Sequence, residues 1–333
     1  MKSFWNNLEK PFFAMAPMAD VTDIAFRALV AKRGKPDIFW TEFVSADGLY
    51  HTREIAKMSD ETNPLMRDLQ FTEDQRPIVA QIFSSKPEMI AYATKLVAEL
   101  GFDGVDINMG CPDRSIEKQG AGAAMIKNPK LAIEIIKTAQ EASSLPVSVK
   151  TRVGYNKESL DEWLTALLSA NPVAITLHLR TRKEMSLVPA GWELMKRAVE
   201  IRNKVNPKVL LIGNGDVQDL EDARAKASES GCDGVMLGRA MFGNPWVFEG
   251  ISGHRMSPSE VGHPMSTHGL DEKLEALVEL AHDFEKITPP KHFAILKKHI
   301  KAFVTGFAGA AEMRAKLMLA ENATELEEII RKK

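Results

Sequence analysis

The sequence predicts an α/β fold: a (β/α)8 TIM barrel followed by a small all-helical C-terminal domain. Three observations predict it. Eight short apolar or β-branched runs recur in the first 250 residues, amphipathic stretches of helical period generally separate them, and only helical patterns follow residue 270. Eight parallel strands with crossover helices within about 250 residues fit a closed barrel, whereas an open doubly wound sheet more often has fewer strands.

The predicted strands follow one another along the chain as FFAMAPM from Phe12, DIFWTEFV from Asp37, PIVAQIF from Pro77, GVDINMG from Gly104, PVSVKTR from Pro146, AITLHLR from Ala174, VLLIGNG from Val209 and GVMLGRA from Gly234. The predicted helices between them are KPEMIAYATKLVAELG, NPKLAIEIIKTAQEAS, DEWLTALLSAN, GWELMKRAVEIRNKV and DLEDARAKASESG. Several open with Asp, Asn or Pro and close at Gly or Asn, which are residues that cap helices. The second crossover is irregular, because NPLMRDLQFTEDQR is typical of an extra loop or hairpin.

The character of the sequence changes near residue 250. The stretch GISGHRMSPSEVGHPMSTHGL is rich in Gly, Ser, Pro and His and has no periodicity, which predicts a linker. DEKLEALVELAHDFEKI, PKHFAILKKHIKAFVTGF and AAEMRAKLMLAENATELEEIIRKK then have helical patterns. We therefore expect a catalytic barrel over residues 1–250, a linker over 251–270 and a helical domain over 271–333.

The composition of the 333 residues is that of a soluble globular protein, with 44% hydrophobic residues, 26% charged residues and a net charge of -2. Two distant cysteines, Cys111 and Cys232, and a first segment without the features of a secretory signal indicate a reducing, cytoplasmic environment. No apolar run approaches the roughly 20 residues needed to cross a bilayer, so we expect no membrane partner.

The active site of such a barrel forms at the carboxyl ends of its strands. Those ends carry an unusual set of polar, cationic and small residues: Pro17, Met18, Ala19, Gln81, Asn108, Cys111, Lys150, Arg152, His178, Arg180, Asn214, Asp216, Gly238 and Arg239. Exposed strand ends collect polar residues in many proteins. Here, however, Lys150, Arg152, His178, Arg180 and Arg239 would crowd positive charge into one mouth unless an anion neutralises it.

A ligand with a phosphate and a flat heterocycle would neutralise these cations and supply their hydrogen-bond partners. GNGD at 213–216 and GRAMFGNP at 238–245 place glycines after the last two strands, where backbone amides commonly bind phosphate in this fold. Lys150 lies inside a strand and must meet an acceptor. That acceptor is either the N1 and O2 edge of a flavin or a neighbouring carboxylate in a structural ion pair.

Ordered motifs extend over nearly the whole chain. They are APMADVTDIAFR (16–27), AQIF (80–83), DINMGCP (106–112) followed by GAGAAMIKNP, VKTRVG, HLRTR, GNGDV, GCDGVMLGRAMFGNPWVF (231–248) and the tail KKHIKAFVTGFAGAAEMRAKL. Together they resemble the tRNA-dihydrouridine synthases. Two places depart from the family pattern: Leu179 in HLRTR, where glycine is more frequent, and SLVPAGW, where a loop containing Lys or Arg is common.

The resemblance implies an enzyme that binds FMN in the barrel, uses NADPH to reduce it, and reduces the C5–C6 double bond of specific uridines in tRNA to 5,6-dihydrouridine. It implies hydride transfer from flavin N5 to C6 and proton donation from Cys111 to C5. A thiol suits this role, because an unperturbed pKa near 8.5 leaves it mostly protonated at neutral pH.

The same resemblance assigns the other residues. The expected FMN ligands are Pro17, Met18, Ala19, Gln81, Lys150, His178, Asn214, Gly215, Asp216, Gly238 and Arg239. Asn108, Arg152 and Arg180 are expected at the substrate, and Cys232 has no role.

The tail segment PKHFAILKKHIK carries Lys291, Lys297, Lys298 and Lys301 without an acidic residue. Such a run is either a solvated helix face or a tRNA contact. We predict that Lys298 and Lys301, with Arg314, contact tRNA.

Two other functions stay open. One is a different FMN barrel oxidoreductase, such as a dihydroorotate dehydrogenase, which the basic helical tail disfavours. The other is a non-catalytic RNA-binding protein on a barrel scaffold, which the presence of Cys111, Lys150 and His178 disfavours. We expect a monomer without a bound metal.

Overall fold

The computed structural model describes residues 3–251 and 268–332. Its strands form one parallel sheet in the order β1-β8-β7-β6-β5-β4-β3-β2. They are β1 (Phe12–Met15), β2 (Phe39–Ser45), β3 (Ile78–Phe83), β4 (Gly104–Met109), β5 (Val147–Arg152), β6 (Ala174–His178), β7 (Leu210–Asn214) and β8 (Gly234–Leu237). Each lies within one of the predicted runs or extends it by one residue, so the eight-stranded parallel sheet is confirmed.

The sheet closes between its first and second strands. The Asp37 N–H donates to the Phe13 carbonyl at 2.9 Å, and the Met15 N–H donates to the Ile38 carbonyl at 3.1 Å. β1 therefore pairs with β8 on one side and with the residues that enter β2 on the other. The result is a curled barrel whose strand ends face a common centre, as predicted.

Nine α-helices lie within residues 3–251. They are α1 (Ile24–Arg33), α2 (Ala46–Tyr50), α3 (Pro64–Arg67), α4 (Pro87–Glu99), α5 (Arg114–Lys118), α6 (Pro129–Ala142), α7 (Leu160–Ser169), α8 (Glu193–Val205) and α9 (Leu220–Ser230). The five predicted crossover helices correspond to α4 and α6–α9. The second crossover contains only short helical turns and no strand, so the hairpin alternative for residues 63–76 is wrong and the extra loop is confirmed.

Strand alternation separates an outer apolar core from the barrel interior. On β4, Val105, Ile107 and Met109 pack towards the helices, whereas Asp106 and Asn108 belong to the interior. The amino end of the interior is apolar and is plugged by Trp5, whose ring centroid lies 6.1 Å from that of Trp40. The polar residues are left at the carboxyl end, where they form the site.

The C-terminal helices are α10 (Leu270–Glu285), α11 (Lys297–Phe303), α12 (Ala310–Leu317) and α13 (Ala323–Arg331). Their buried residues, including Leu277 and Ile300, belong to the same hydrophobic cluster as the outer face of the barrel. Arg33 of α1 also pairs with Glu279 of α10 at 2.6 Å. The tail is thus helical, as predicted, and packs directly on the barrel.

The predicted tail helices differ in detail from the structure, and the predicted linker stays untested. The last two predicted helices are each broken: Lys297–Phe303 is the only α-helix in the first, and the second divides where Asn322 caps α13. The predicted linker at 251–270 lies almost entirely outside the described residues, so the domain boundaries remain a prediction. Within the described ranges, no helix is both long and apolar enough to cross a membrane.

Candidate active site

The carboxyl ends of five strands surround one cleft of about 190 Å³. Ten of the predicted site residues line it: Pro17, Met18, Lys150, Arg152, His178, Asn214, Gly215, Asp216, Gly238 and Arg239. Ala16, Val217 and Met236 complete the lining, while the predicted Ala19 follows Met18 in the chain but is outside it. Gln81 and Asn108 lie on neighbouring strands, with Asn108 opposite Lys150 in the β4–β5 ladder. Ten of the expected residues thus meet at one cleft, whereas Gln81, Asn108 and Cys111 are not part of its lining, and the amide of Gln81, expected to bind FMN, is fully buried and bonded to Asp106 and Asn108.

Lys150 is a half-buried ammonium group on β5 with spare hydrogen-bond donors. Its Nζ donates to Asn214 Oδ1 at 3.2 Å, and Asn214 is itself held by the Met236 carbonyl at 2.8 Å. Burial, reinforced by the neighbouring Arg152, lowers the pKa of Lys150 to about 8. No carboxylate of the described chain forms an ion pair with it, which removes the structural ion pair as its partner. An ammonium has three N–H donors, so Lys150 can still bind an acceptor in the cleft.

His178 presents a buried nitrogen without a partner. Its Nδ1 makes no hydrogen bond, and its Nε2 lies 3.4 Å from Arg180 Nη1. Burial and the surrounding cations, Lys150 first among them, lower the pKa of His178 well below its usual value. The ring is therefore neutral at physiological pH. An unpartnered buried nitrogen costs free energy unless a ligand or a water pairs with it.

Asp216 partly neutralises the cationic wall. Its carboxylate accepts hydrogen bonds from Arg180 and Arg239, and from the Ala190 N–H at 2.9 Å. The hydrogen bond from Arg180 is the largest of the effects that lower the pKa of Asp216. Gly215 and Asp216 both have positive φ, at 125° and 49°, and a Cβ on Gly215 would stand 2.8 Å from the Ala190 Cβ. The glycine thus permits a tight turn that brings backbone to the cleft.

Arg152 and Arg180 use most of their donors within the protein. Arg152 donates to the carbonyls of Gly110, Thr181 and Met185 at 2.8–3.1 Å. Arg180 donates to the Val188 carbonyl at 2.5 Å as well as to Asp216. Both side chains are buried and hold the loop that follows β6, so their predicted contact with substrate stays a prediction.

Cys111 follows β4 in a loop with precise backbone contacts. Its N–H donates to Asn108 Oδ1 at 2.9 Å, and its carbonyl accepts from the Ala123 N–H at 2.9 Å. Gly122 has φ 59°, and a Cβ there would lie 2.7 Å from the Cys111 carbonyl oxygen, which explains the glycine-rich sequence after the cysteine. The side chain packs against the apolar cluster of Phe83, Ile116 and Ala121. Burial there raises the pKa of the Cys111 thiol.

Cys232 lies at the opposite end of the barrel, as predicted. It is buried just before β8, and its Sγ contacts the Gly234 carbonyl at 3.2 Å. It takes no part in the cleft.

A buried ion pair that was not predicted from the sequence joins the barrel to the tail. The β2–β3 register shifts between Trp40 and Phe43, and Glu42, which lies in this irregular stretch, is buried. Glu42 Oε2 accepts from Lys291 Nζ at 2.6 Å, and Glu42 Oε1 accepts from the Asp20 N–H of the loop after β1. Lys291 therefore belongs to the core and not to the basic surface of its segment. The acid inside the predicted strand DIFWTEFV was the available signal.

The other three lysines of the segment PKHFAILKKHIK, together with Arg314, line a second groove. Its lining has four cations and an apolar floor: Lys297, Lys298, Lys301, Arg314, Phe242, Ala294, Ala311, Ala315 and Met318. Lys298 forms an exposed ion pair with Asp20 at 3.1 Å, and Arg314 donates to the Val304 carbonyl at 2.7 Å. The three predicted tRNA contacts thus share one surface.

The comparisons of the sequence with a family model and with known proteins agree on one family. The family model described as dihydrouridine synthase (Dus) matches residues 14–333. The chain is 38% identical over 332 residues to a probable tRNA-dihydrouridine synthase of Staphylococcus epidermidis, covering 99% of this chain and 95% of that protein. It is 38% identical over 333 residues to a probable tRNA-dihydrouridine synthase 2 of Bacillus subtilis, covering 99% and 96%. The solved structure of a 2-naphthoyl-CoA reductase complex shares the fold, with a TM-score of 0.55 at 10% identity, over 71% of this chain and 49% of that one.

Proposed function

The chain belongs to the dihydrouridine synthase family, and on that premise we propose that it reduces the C5–C6 double bond of specific uridines in tRNA to 5,6-dihydrouridine. The proposed cofactor is FMN and the proposed reductant is NADPH. One observation carries the proposal at the level of the site. The cationic cleft adjoins the Cys111 loop, because Arg152, which lines the cleft, donates from Nε to the carbonyl of Gly110 at 2.8 Å, and Gly110 directly precedes Cys111.

The residues of the cleft fit FMN. The Lys150 N–H groups that are not used by Asn214 suit the N1 and O2 edge of the ring. The Nδ1 of His178, which has no hydrogen-bond partner, is available to the ligand as well. Arg239, which is largely exposed, and the backbone at Gly215 and Gly238 would hold the phosphate. A bound FMN would supply the hydride for C6.

Cys111 would supply the other hydrogen. Because burial raises the pKa of its thiol, the group is protonated at neutral pH and can donate a proton from Sγ to C5 as the ring accepts a hydride at C6. The thiolate would then recover its proton from solvent. The Cys111 N–H donates to the Asn108 side chain and the Cys111 carbonyl accepts from the Ala123 N–H, and these contacts hold the loop that carries the thiol.

The basic groove would bind the tRNA backbone. A uridine stacked within tRNA must be turned out to reach the cleft, at a cost of a few kcal/mol. Contacts between phosphates and Lys298, Lys301 and Arg314 would offset that cost, and they explain a groove with cations but no carboxylate in its lining. We also propose that the protein acts on tRNA in the cytoplasm and that it does so as a monomer.

The test is direct. Purified protein saturated with FMN should oxidise NADPH in the presence of unmodified tRNA and form dihydrouridine, and it should prefer NADPH to NADH. Cells that lack the gene should lose dihydrouridine at one or more tRNA positions. No change in tRNA, together with turnover of free dihydroorotate, would favour the rival FMN oxidoreductase.

A further inference from the structure

A chain of buried hydrogen bonds connects β3 and β4 to the loop that carries Cys111. Asp106 Oδ2 accepts from Gln81 Nε2 at 2.7 Å, and Gln81 Oε1 accepts from Asn108 Nδ2 at 2.9 Å. Asn108 Oδ1 then accepts from the Gly110 N–H at 3.1 Å and the Cys111 N–H at 2.9 Å. Gln81 and Asp106 have no exposed surface, and Asn108 is 7% exposed. The chain therefore ends at the proposed proton donor.

Only one direction of hydrogen bonding satisfies this chain. Backbone N–H groups at one end can only donate, and an ionised carboxylate at the other end can only accept. Each amide between them must therefore turn its nitrogen towards Asp106 and its oxygen towards Cys111. The shape of an amide alone does not fix which way it points. The two ends of the hydrogen-bond chain therefore determine the orientation of the Gln81 and Asn108 amides.

Asp106 is mainly ionised at neutral pH and can therefore act as the acceptor at its end of the chain. Burial raises the pKa of Asp106 to about 6, while hydrogen bonds from Ser148 and Gln81 and the charge of Lys150 favour its ionised form. The Ser148 hydroxyl donates to the second carboxylate oxygen, Oδ1, at 2.6 Å. At neutral pH the group is thus mainly a carboxylate with an acceptor oxygen facing Gln81.

We propose that Asp106 is a positioning residue that makes Asn108 a hydrogen-bond donor, and never an acceptor, towards the substrate ring. The Asn108 oxygen already accepts two N–H groups, whereas its nitrogen has used one of two hydrogens. A ring atom that contacts the Asn108 nitrogen would then have to be an acceptor, such as a pyrimidine carbonyl oxygen, because an exocyclic amine at the same place would leave two donors facing each other. This substrate half rests on the proposed function.

A reversed chain provides the test. Asn108→Asp places an acceptor against Gln81 Oε1, and Asp106 prevents the Gln81 amide from turning, so this variant should lose thermal stability. Adding Asp106→Asn should restore it. Asn at 106 can donate to Gln81 Oε1 while still accepting from Ser148, and Asp at 108 can then accept from Gln81 and from both backbone N–H groups.

The measurement is the melting temperature of FMN-loaded wild type, D106N, N108D and D106N/N108D, at a pH well above the pKa of Asp106. We expect N108D to melt lowest and the double variant to recover most of the loss. Thr94→Val, which alters a buried hydroxyl without a hydrogen-bond partner elsewhere in the barrel, is the control and should melt like wild type. A double variant no more stable than N108D would overturn the directional chain. If N108D does not fold, the double variant should instead be recovered as soluble protein, and that recovery would support the directional chain in the same way as a recovered melting temperature.

Activity separates the two halves of the proposal. The double variant should keep its flavin colour but should not regain uridine reduction, because Asp at 108 has no N–H to offer. Full activity in the double variant would overturn the donor role of Asn108. Since melting does not depend on turnover, the directional chain is tested even if the protein acts on a substrate other than tRNA.

Discussion

The buried pair between Lys291 and Glu42 should be essential to the attachment of the tail. The two side chains are 2% and 5% exposed, with Nζ 2.6 Å from Oε2, and Asp68 lies 3.4 Å from the same Nζ. In Lys291→Met the apolar replacement fills much of the same volume but leaves Glu42 ionised or forces it to take a proton. Either outcome destabilises the folded chain.

The expected loss is large. Removing one partner of a buried ion pair costs about 3–5 kcal/mol, because the other charge is left buried without compensation. At roughly 2 °C per kcal/mol for a chain of this size, the melting temperature should fall by on the order of 6–10 °C. The Glu42 Oε1 contact with the Asp20 N–H would also be disturbed. Because Asp20 follows Pro17 and Met18 in the loop that lines the cleft, K291M should bind FMN more weakly.

The assay is thermal unfolding together with FMN titration of the apoprotein. Lys301→Met, the same substitution at an exposed lysine of the same segment, is the matched control and should change stability by about 0.5 kcal/mol or less. E42Q/K291M removes both charges and should recover most of the loss. Our account of the pair is refuted if K291M melts with the control, or if the double variant is less stable than K291M.

Three further predictions concern the site. Cys111→Ala should keep bound FMN but lower uridine reduction by about 10²–10⁴-fold, the usual contribution of a general acid; a colourless variant would show that the residue holds the cofactor instead. Changing Lys298 and Lys301 together to Glu should weaken tRNA binding and reduce its salt dependence while NADPH still reduces the flavin; unchanged affinity in a filter-binding titration would assign both lysines to a solvated helix face. Because burial raises the pKa of Cys111 and only the thiolate is alkylated, iodoacetamide should label the apoprotein with a pH midpoint above that of a free thiol, and a midpoint below it would contradict the assigned environment.

The strands of the barrel were predictable because their local composition reflects their burial. In a closed parallel barrel, helices cover the outer face of each strand and the facing strands cover its inner face. Runs such as Ile78–Phe83 and Gly104–Met109 are therefore buried along their whole length, and they appear in the sequence as short apolar segments. The position of Cys111, Lys150 and His178 at strand ends was readable for the same reason, because parallel strands bring their carboxyl ends to one face.

The pairing of polar groups was not predictable in this way. Lys291 and Lys298 stand seven positions apart in one basic segment, yet one is buried against Glu42 and the other is exposed beside Asp20. Glu42 and Lys291 are 249 positions apart, so no local pattern relates them. In the sequence, Asp106 is likewise one polar residue of a strand. Its hydrogen bond with Gln81, on the neighbouring strand, is evident only in the folded chain.

The amino-acid sequence by itself determined the class of fold, the strand ends that form the cleft and the family to which the chain belongs, because these depend on hydrophobic period and on short motifs. The tertiary structure alone decided which charges are paired, which lysine is buried and which way the Gln81 and Asn108 amides point. A hydrogen bond or an ion pair depends on a distance of a few ångströms between groups far apart in the chain, and only packing sets that distance.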